Sequence, residues 1–337
     1  MSAAVSSLAA SLMARDLRSA DAMLALQTLP RIGPATALKA AIRSGWSDPP
    51  VDEAVLEKAR ERTRELLHEY ADAGVSVITY FDDAYPPLLR QIPDPPPVLF
   101  VRGDLGPVSD SRTVAVVGTR EPSQFGVTAA KRLTSALVRD GWVIVSGLAK
   151  GIDSIAHQSA LDDGGRTVAI LGNGLDRVYP TENTQLANEI VASGGALISE
   201  LPFGAPPIPR NLIQRDRLQS GMAGAVVIAQ TGVKGGTLHT ARFATEQRRR
   251  IFCPDPHSEN GKSEGLRVLL EKPANQLHNF LPAWQNAQRM TLGLGDRPLA
   301  QPVRSDKIDT FLDEVEVAAT SASGADGEAL VLPGFAV

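Results

Sequence analysis

The chain has 337 residues, 43% of them hydrophobic, and a formal net charge of −4. That is apolar material for one large domain with one or two smaller additions. A single cysteine, Cys253, excludes a disulfide framework and any multi-cysteine metal site, and five scattered histidines without a His-x-x-x-His spacing offer no zinc set. No stretch approaches the roughly 18 apolar residues of a membrane span, and the N-terminus lacks a basic segment ahead of a long apolar one. The expectation is a soluble, cytoplasmic protein with no membrane partner. Charge is uneven: residues 111–255 sum to +4 and residues 305–337 to −6. A mildly basic middle is compatible with phosphate binding and equally with a solvated surface.

Residues 20–43 read as two short helices around the turn LPRIGP, a pattern like the hairpin of a helix-hairpin-helix element or an ordinary turn in a small helical domain. Residues 52–73 carry apolar positions at helical spacing, with Gly74 past the end. A strand is expected in VSVITY. The Pro-Pro pairs after it predict an extended connector over Tyr85–Pro97 leading to a strand at Val98–Val101.

From Thr113 the pattern is regular. Strands are predicted at Thr113–Val117, Trp142–Val145, Thr167–Leu171, Ala196–Ser199, Ala225–Ala229 and Arg250–Cys253. Helices are predicted between them at Gln124–Asp140, Ser154–Asp162, Thr181–Ala192, Asn211–Gly221 and Thr237–Arg249. Continuous apolar strands alternating with amphipathic helices specify an α/β fold, a doubly wound, Rossmann-like parallel sheet, here behind a small all-α N-terminal domain. The expected boundaries are a helical domain over 1–73, the sheet domain over 74–288 and an irregular acidic tail over 289–337, in which Asp306–Ala319 forms one helix.

Such sheets bind ligands at the carboxyl ends of their strands. Gly118-Thr119-Arg120 follows the first of the regular strands and offers flexible backbone, a hydroxyl and a guanidinium to an anion; the plainer reading is a tight turn with a surface arginine. There is no Gly-x-Gly-x-x-Gly after that strand, and Ser146-Gly147 stand where a ribose-binding carboxylate would sit, which argues against NAD and FAD. No Gly-Lys-Ser/Thr follows, so there is no P-loop either, and no motif calls for a cofactor. In SGLAKGID, Lys150 stands at a helix entry with Asp153 as the expected N-cap, and His157 one turn on reads as a hydrogen-bonded histidine. Arg215 and Arg217 flank Asp216, either as a local ion-pair cluster or as guanidiniums presented to a phosphodiester. Lys234-Gly235-Gly236-Thr237 opens a helix as a phosphate or carboxylate site, or as a turn capped by Thr237. Arg248-Arg249-Arg250 reads as a charge cluster at a helix C-terminus. No catalytic triad, paired-carboxylate motif or metal set emerges.

These residues closely resemble one family, DNA-processing protein A, also called DprA or Smf. The resemblance is carried by YPPLLRQIPDPPPVLFVRGDL, VAVVGTR, Phe125-Gly126, VIVSGLAKGIDSIAH, TVAILGNGLDRVYP with Asn183, and LISELPFG. The LPRIGP hairpin also matches the helical N-terminal domain of many members. The resemblance implies a non-enzymatic homodimer that binds and protects single-stranded DNA and helps load a RecA-type recombinase during natural transformation. By position it implies that Arg120 contacts phosphate, that Ser146, Gly147 and Lys150 line the pocket, and that Arg215-Asp216-Arg217 replaces Arg-Asn-Arg.

The chain also departs from the family. Asp216 replaces the motif's Asn, Gln230 a strand-end Glu, and Gly235-Gly236-Thr237 a Ser-Gly-Ser. The winged-helix domain found at the C-terminus of many members is not evident in residues 290–337. An extra carboxylate at Asp216 repels a phosphate backbone unless both arginines neutralise it. The Gly-Gly-Thr loop also resembles a wider superfamily of nucleotide-binding proteins that includes the cytokinin-activating phosphoribohydrolases. That implies, as an alternative, a sensor or hydrolase of a nucleotide-like ligand, with defence against foreign DNA as a possible setting. Glu246, nine residues after Thr237, stands too far along for the hydrolase signature. For stacking bases, only Phe125 and Phe203 stand near the rim.

Overall fold

A computed structural model describes residues 18–29, 32–42, 53–109, 112–256, 261–287, 290–291, 293–304 and 306–323. These divide into two compact units, one of residues up to Tyr85 with Asp94–Arg102, the other of Pro86–Pro93 with the chain from Gly103 on.

The first unit holds helices α1 (Ala20–Thr28), α2 (Pro34–Ile42) and α3 (Glu53–Asp72). Arg60 on α3 binds Asp21 at the start of α1, at 3.1 Å and 3.2 Å. The helices share the unit with an antiparallel pair, β1 (Ser76–Thr79) and β2 (Val98–Gly103), in which Ser76 stands opposite Val101. Tyr70 of α3 packs on Phe100 of β2, ring centroids 4.7 Å apart. The unit therefore reaches further along the chain than a helical domain closing at residue 73. Pro30 and Arg31, in the expected hairpin turn, lie outside the described residues.

The second unit carries the parallel sheet. Its strands are β3 (Thr113–Gly118), β4 (Val143–Ser146), β5 (Thr167–Ile170), β6 (Ala196–Ser199), β7 (Ala225–Gln230), β8 (Arg250–Pro254) and β9 (Ala300–Val303). They lie side by side in the order β6-β5-β4-β3-β7-β8-β9, every pair parallel. The chain moves outward from β3 to β6, then returns to place β7 on the other flank of β3. That reversal defines a switch point between β3 and β7, where the flanking loops part and leave a crevice.

Both faces are covered, as the unbroken apolar strands require. On one, Val114, Val116, Val227 and Phe252 pack beneath α5 (Gln124–Arg139), α6 (Ile152–Asp162) and α11 (Ile308–Ala322). On the other, Ala115, Val117, Val226 and Ile228 pack beneath α9 (Thr237–Glu246), α10 (Glu264–Glu271) and the buried Trp284. The remaining helices are α4 (Pro87–Arg90), α7 (Thr184–Ala192) and α8 (Pro209–Gly221).

Two expectations are corrected. The Pro-Pro pair at residues 86–87 does not enforce an extended connector: Pro87 opens α4, because proline at the first position of a helix has no intrahelical N–H to lose. Beyond Met290 the tail is not irregular throughout: β9 adds to the sheet edge through Ala300 opposite Ile251, and the helix expected over Asp306–Ala319 is present as α11, which buries Phe311 and Val315. β9 was missed because Ala-Gln-Pro-Val is short and contains proline, which an edge strand tolerates. Residues 324–337 lie outside the described residues.

Arg249 is no surface charge. Its side chain is buried, and its guanidinium donates to the carbonyls of Ala322 at 3.1 Å, Leu88 at 3.0 Å and Gly221 at 3.5 Å. It thus joins the ends of α11, α4 and α8, where C-terminal carbonyls lack helical partners. Replacing Arg249 by Ala leaves the Ala322 and Gly221 carbonyls without this donor, while Leu88 keeps the Gln91 N–H at 3.4 Å, and is expected to cost at least about 2 kcal/mol, at about 1–3 kcal/mol per orphaned group. Urea unfolding of Arg249→Ala against the parent chain measures it.

Candidate functional site

The switch-point crevice encloses ≈ 470 Å³. Its walls come from Gly118–Glu121 after β3, Ala149 and Asp153 at the entry to α6, the first turns of α8 with Leu212, Arg215 and Asp216, and Gly235–Thr237 at the start of α9. Beside it lies a shallow cleft bounded by Arg120, Gly147, Lys150, Tyr179, Leu212 and Arg215. Of the residues expected at the site, Gly118, Thr119, Arg120, Arg215, Gly235, Gly236 and Thr237 meet around the crevice, and Gly147 and Lys150 around the cleft.

The Gly118–Arg120 loop is tied on both sides. Thr119 donates its N–H to the Gln230 carbonyl of β7 at 2.8 Å, and its own carbonyl accepts from Ile152 at 3.1 Å. A Cβ on Gly118 would lie 2.5 Å from Ile152 Cγ1, so glycine here permits α6 to close on the strand end. Arg120 projects outward and is exposed, and its guanidinium makes no hydrogen bond or ion pair among the described residues. At α9, the N–H groups of Leu238 and His239 are already donated to the Gly235 and Gly236 carbonyls. Those of Gly236 and Thr237 make no hydrogen bond among the described residues, and both residues line the crevice at the positive end of the helix.

Ser146 is buried, its hydroxyl donating to the Val116 carbonyl at 2.7 Å, so it braces β4 against β3 and does not face the rim. Asp153 is not the N-cap of α6: Gly151 holds that place, and the Asp153 carboxylate accepts the Gly147 N–H at 3.2 Å. Between them Leu148 takes φ 56°, an uncommon value for leucine, with its carbonyl held by Asn183 Nδ2 at 2.7 Å. His157 is buried and hydrogen bonded through Nδ1 to Thr167 Oγ1 at 2.7 Å; burial pushes its pKa down to about 3 and keeps it neutral.

Local ion pairing accounts for both arginines of Arg215-Asp216-Arg217. Arg217 binds Glu200 at 2.6 Å with its side chain only 9% exposed. Arg215, 6% exposed, donates to the Ile170 carbonyl at 2.7 Å, lies 3.3 Å from Asp216, and, with the Gln219 amide turned so that its oxygen and not its nitrogen faces these donors, reaches that oxygen at 2.8 Å. The same Gln219 oxygen accepts the Gly147 N–H at 3.0 Å. Sequence reasoning missed Gln219, although its place one turn after Arg215 on α8 was the available signal. The other departure, Gln230, is internal too: its side chain bridges Ser123 and Ser263, each at 2.9 Å, and so joins the ends of α5 and α10.

Lys150 is exposed and pairs with Glu182 at 2.5 Å. The Lys150 hydrogen bond is the main cause holding the Glu182 carboxyl below its ordinary value. Asp216 is pushed up to about 7, first by burial and further by Asp153, against the opposing fields of Arg215 and Arg120. Burial likewise raises Asp153. Two carboxyls around one buried guanidinium leave the crevice floor nearly neutral, and the uncommitted positive charge stands at its mouth in Arg120.

The family model for DNA recombination-mediator protein A matches residues 76–288. The chain belongs to that family. Among its relatives, protein Smf of Synechocystis sp. is 35% identical over 273 residues, 78% of this chain and 66% of its own length. DNA processing protein DprA of Bacillus subtilis is 38% identical over 198 residues, 59% of this chain and 66% of its own. The chain thus spans about two thirds of the length of either relative. The crystal structure of DprA from Streptococcus pneumoniae superposes with a TM-score of 0.65 at 28% identity, covering 75% of this chain and 92% of that one. DprA from Helicobacter pylori, described for its single-stranded DNA binding mode, superposes with a TM-score of 0.56 at 27% identity, covering 72% and 97%.

Two outcomes test this site. Gly147→Ala would place a Cβ 1.6 Å from Arg215 Nη1, so Arg215 must leave its seat, and a fall in melting temperature is expected. Asp216, raised from 3.8 to about 7, contributes stability that is complete below pH 3.8 and lost as pH rises through 7. Asp216→Asn is therefore expected to raise the melting temperature at pH 8 relative to the parent more than at pH 5, by roughly 2–4 °C per kcal/mol; equal shifts at both values refute the assignment.

Proposed function

We propose that the chain binds single-stranded DNA by its phosphate backbone along the carboxyl edge of the sheet. The observation that carries the reading is Arg120, an exposed guanidinium at the mouth of the switch-point crevice whose neighbours Arg215 and Arg217 are both committed to internal partners. Gly236 and Thr237 N–H groups and the exposed Lys150 add donors on the same rim. Support also comes from the Helicobacter pylori relative, described as binding single-stranded DNA. The proposed role is protective binding without a chemical step, as a homodimer that hands the strand to a RecA-type recombinase. The nearly neutral floor favours contacts made at the rim, where each phosphate is held by one cation and not by a cluster.

A second reading rests on the crevice volume of ≈ 470 Å³, which suits a mononucleotide with its phosphate at Gly235–Thr237. On that reading the protein senses a nucleotide-like ligand.

For phosphate-driven binding, affinity should fall with salt at a slope of about −0.7 per phosphate neutralised. Arg120→Ala is expected to weaken binding alike for thymidine, cytidine and mixed oligonucleotides and to reduce that slope by about one phosphate, as read by fluorescence anisotropy. Loss confined to one sequence, or thermal stabilisation by mononucleotides with no oligonucleotide binding at low salt, would replace this reading with the second.

A further inference from the structure

Of the four large hydrophobic side chains exposed among the described residues, Tyr179 (38%) and Ile208 (45%) both belong to the carboxyl edge of the sheet. Tyr179 follows β5 in the loop Leu171–Pro180, and Ile208 precedes the Pro209 that lines the crevice. Tyr70 and Tyr85, by contrast, are 2% and 1% exposed. An isolated exposed apolar side chain is ordinary. Tyr179 is not isolated: it shares the shallow cleft with Arg120 and Lys150, with Pro180 and Leu212 beside it. Its hydroxyl makes no hydrogen bond among the described residues, so no internal polar contact accounts for its position.

The loop that presents it is ordered. Asn173 Nδ2 donates to the carbonyls of Gly174 and Arg177, each at 2.9 Å, and the Asn173 carbonyl accepts the Ser199 hydroxyl at 2.8 Å. On the far side, Asn183 is tied to Leu148 and Ser154. An aromatic ring held on a rigid loop beside Arg120 and Lys150 has the make-up of a base-stacking platform: Arg120 takes one phosphate, Lys150 takes the next in exchange for its solvent-exposed pair with Glu182, and the ring takes the base between them. The cleft is ≈ 50 Å³, too shallow to enclose a base, which suits stacking on an open face rather than reading of a base edge.

We propose that Tyr179, flanked by Pro180 and Leu212, is the stacking subsite for one unpaired nucleobase of a bound single strand whose phosphates lie against Arg120 and Lys150. The inference rests on the reading of this edge as a single-stranded DNA surface. Stacking is blind to sequence because every base has a π face, so the subsite adds affinity for bases without selecting among them.

The test uses the full chain and two strands of equal length and charge, oligothymidylate and a fully abasic deoxyribose-phosphate strand, titrated by fluorescence anisotropy. The parent chain should favour oligothymidylate. Tyr179→Ala should lose roughly 5- to 150-fold on oligothymidylate, the equivalent of about 1–3 kcal/mol per stacked base, and leave abasic affinity and the salt slope unchanged. Tyr179→Trp should restore the preference. Three results overturn the subsite while leaving phosphate binding in place: no preference in the parent chain, no loss in Tyr179→Ala, or an equal loss on both strands. Failure of the parent chain to bind either strand overturns the DNA reading itself, and the subsite with it.

Discussion

The buried guanidinium of Arg215 is the constraint around which the site is built. Taking a charge out of water costs several kcal/mol unless its donors are met and an opposite charge stands close. Here the Ile170 carbonyl and the turned Gln219 amide oxygen accept from Nη1, and the Asp216 carboxyl stands 3.3 Å from Nε as an ion-pair contact without a hydrogen bond, drawing on β5 and two further positions of α8. Gly147 and Asp153 complete the arrangement: only a residue without a Cβ lets the loop after β4 lie on the guanidinium, and Asp153 and Gln219 both receive that residue's N–H. The loops after β4 and β5 are thus set by a charge that is almost wholly buried.

This explains why a motif rich in arginine yields a crevice with little positive charge at its base. Arg217 is paired with Glu200, and the single charge of Arg215 faces two buried carboxyls, Asp153 and Asp216, of which one ionised group is enough to neutralise it while burial beside Asp153 lets Asp216 keep its proton. Replacing an amide by a carboxyl at such a place is tolerable because the carboxyl can keep its proton, in which state it has the donor and acceptor of an amide. The repulsion expected of an added carboxylate is accordingly weaker than its formal charge implies, and the electrostatic attraction that remains belongs to exposed side chains at the rim.

Much of the fold was legible in residue pattern. Strands such as Val114–Val117 and Val226–Ile228 are buried on both faces and therefore read as unbroken apolar runs, while α5 shows its buried stripe in Ala130, Leu133 and Leu137. Less legible were α4 and β9, where proline masked an element whose place depends on neighbours far along the chain. At the site, the glycines and Arg120 declared themselves by following strands. Phe125, expected as a base-stacking candidate, instead packs partly buried against the core, and Tyr179 went unnoticed because nothing in its tripeptide distinguishes an exposed ring from a buried one.

Sequence alone determined the doubly wound sheet, the edge on which its polar loops gather, and the absence of a dinucleotide fingerprint, since all three follow from local periodicity and from what stands next to each strand end. Only tertiary structure decided which cations are spent and which are free. Arg120, Arg215, Arg217 and Arg249 are chemically one residue type, and their fates differ because burial and partners are supplied by segments remote in sequence: Glu200 for one, Ile170 for another, the end of α11 for a third. A guanidinium's role is set by what surrounds it in space, and that is a property of the folded chain.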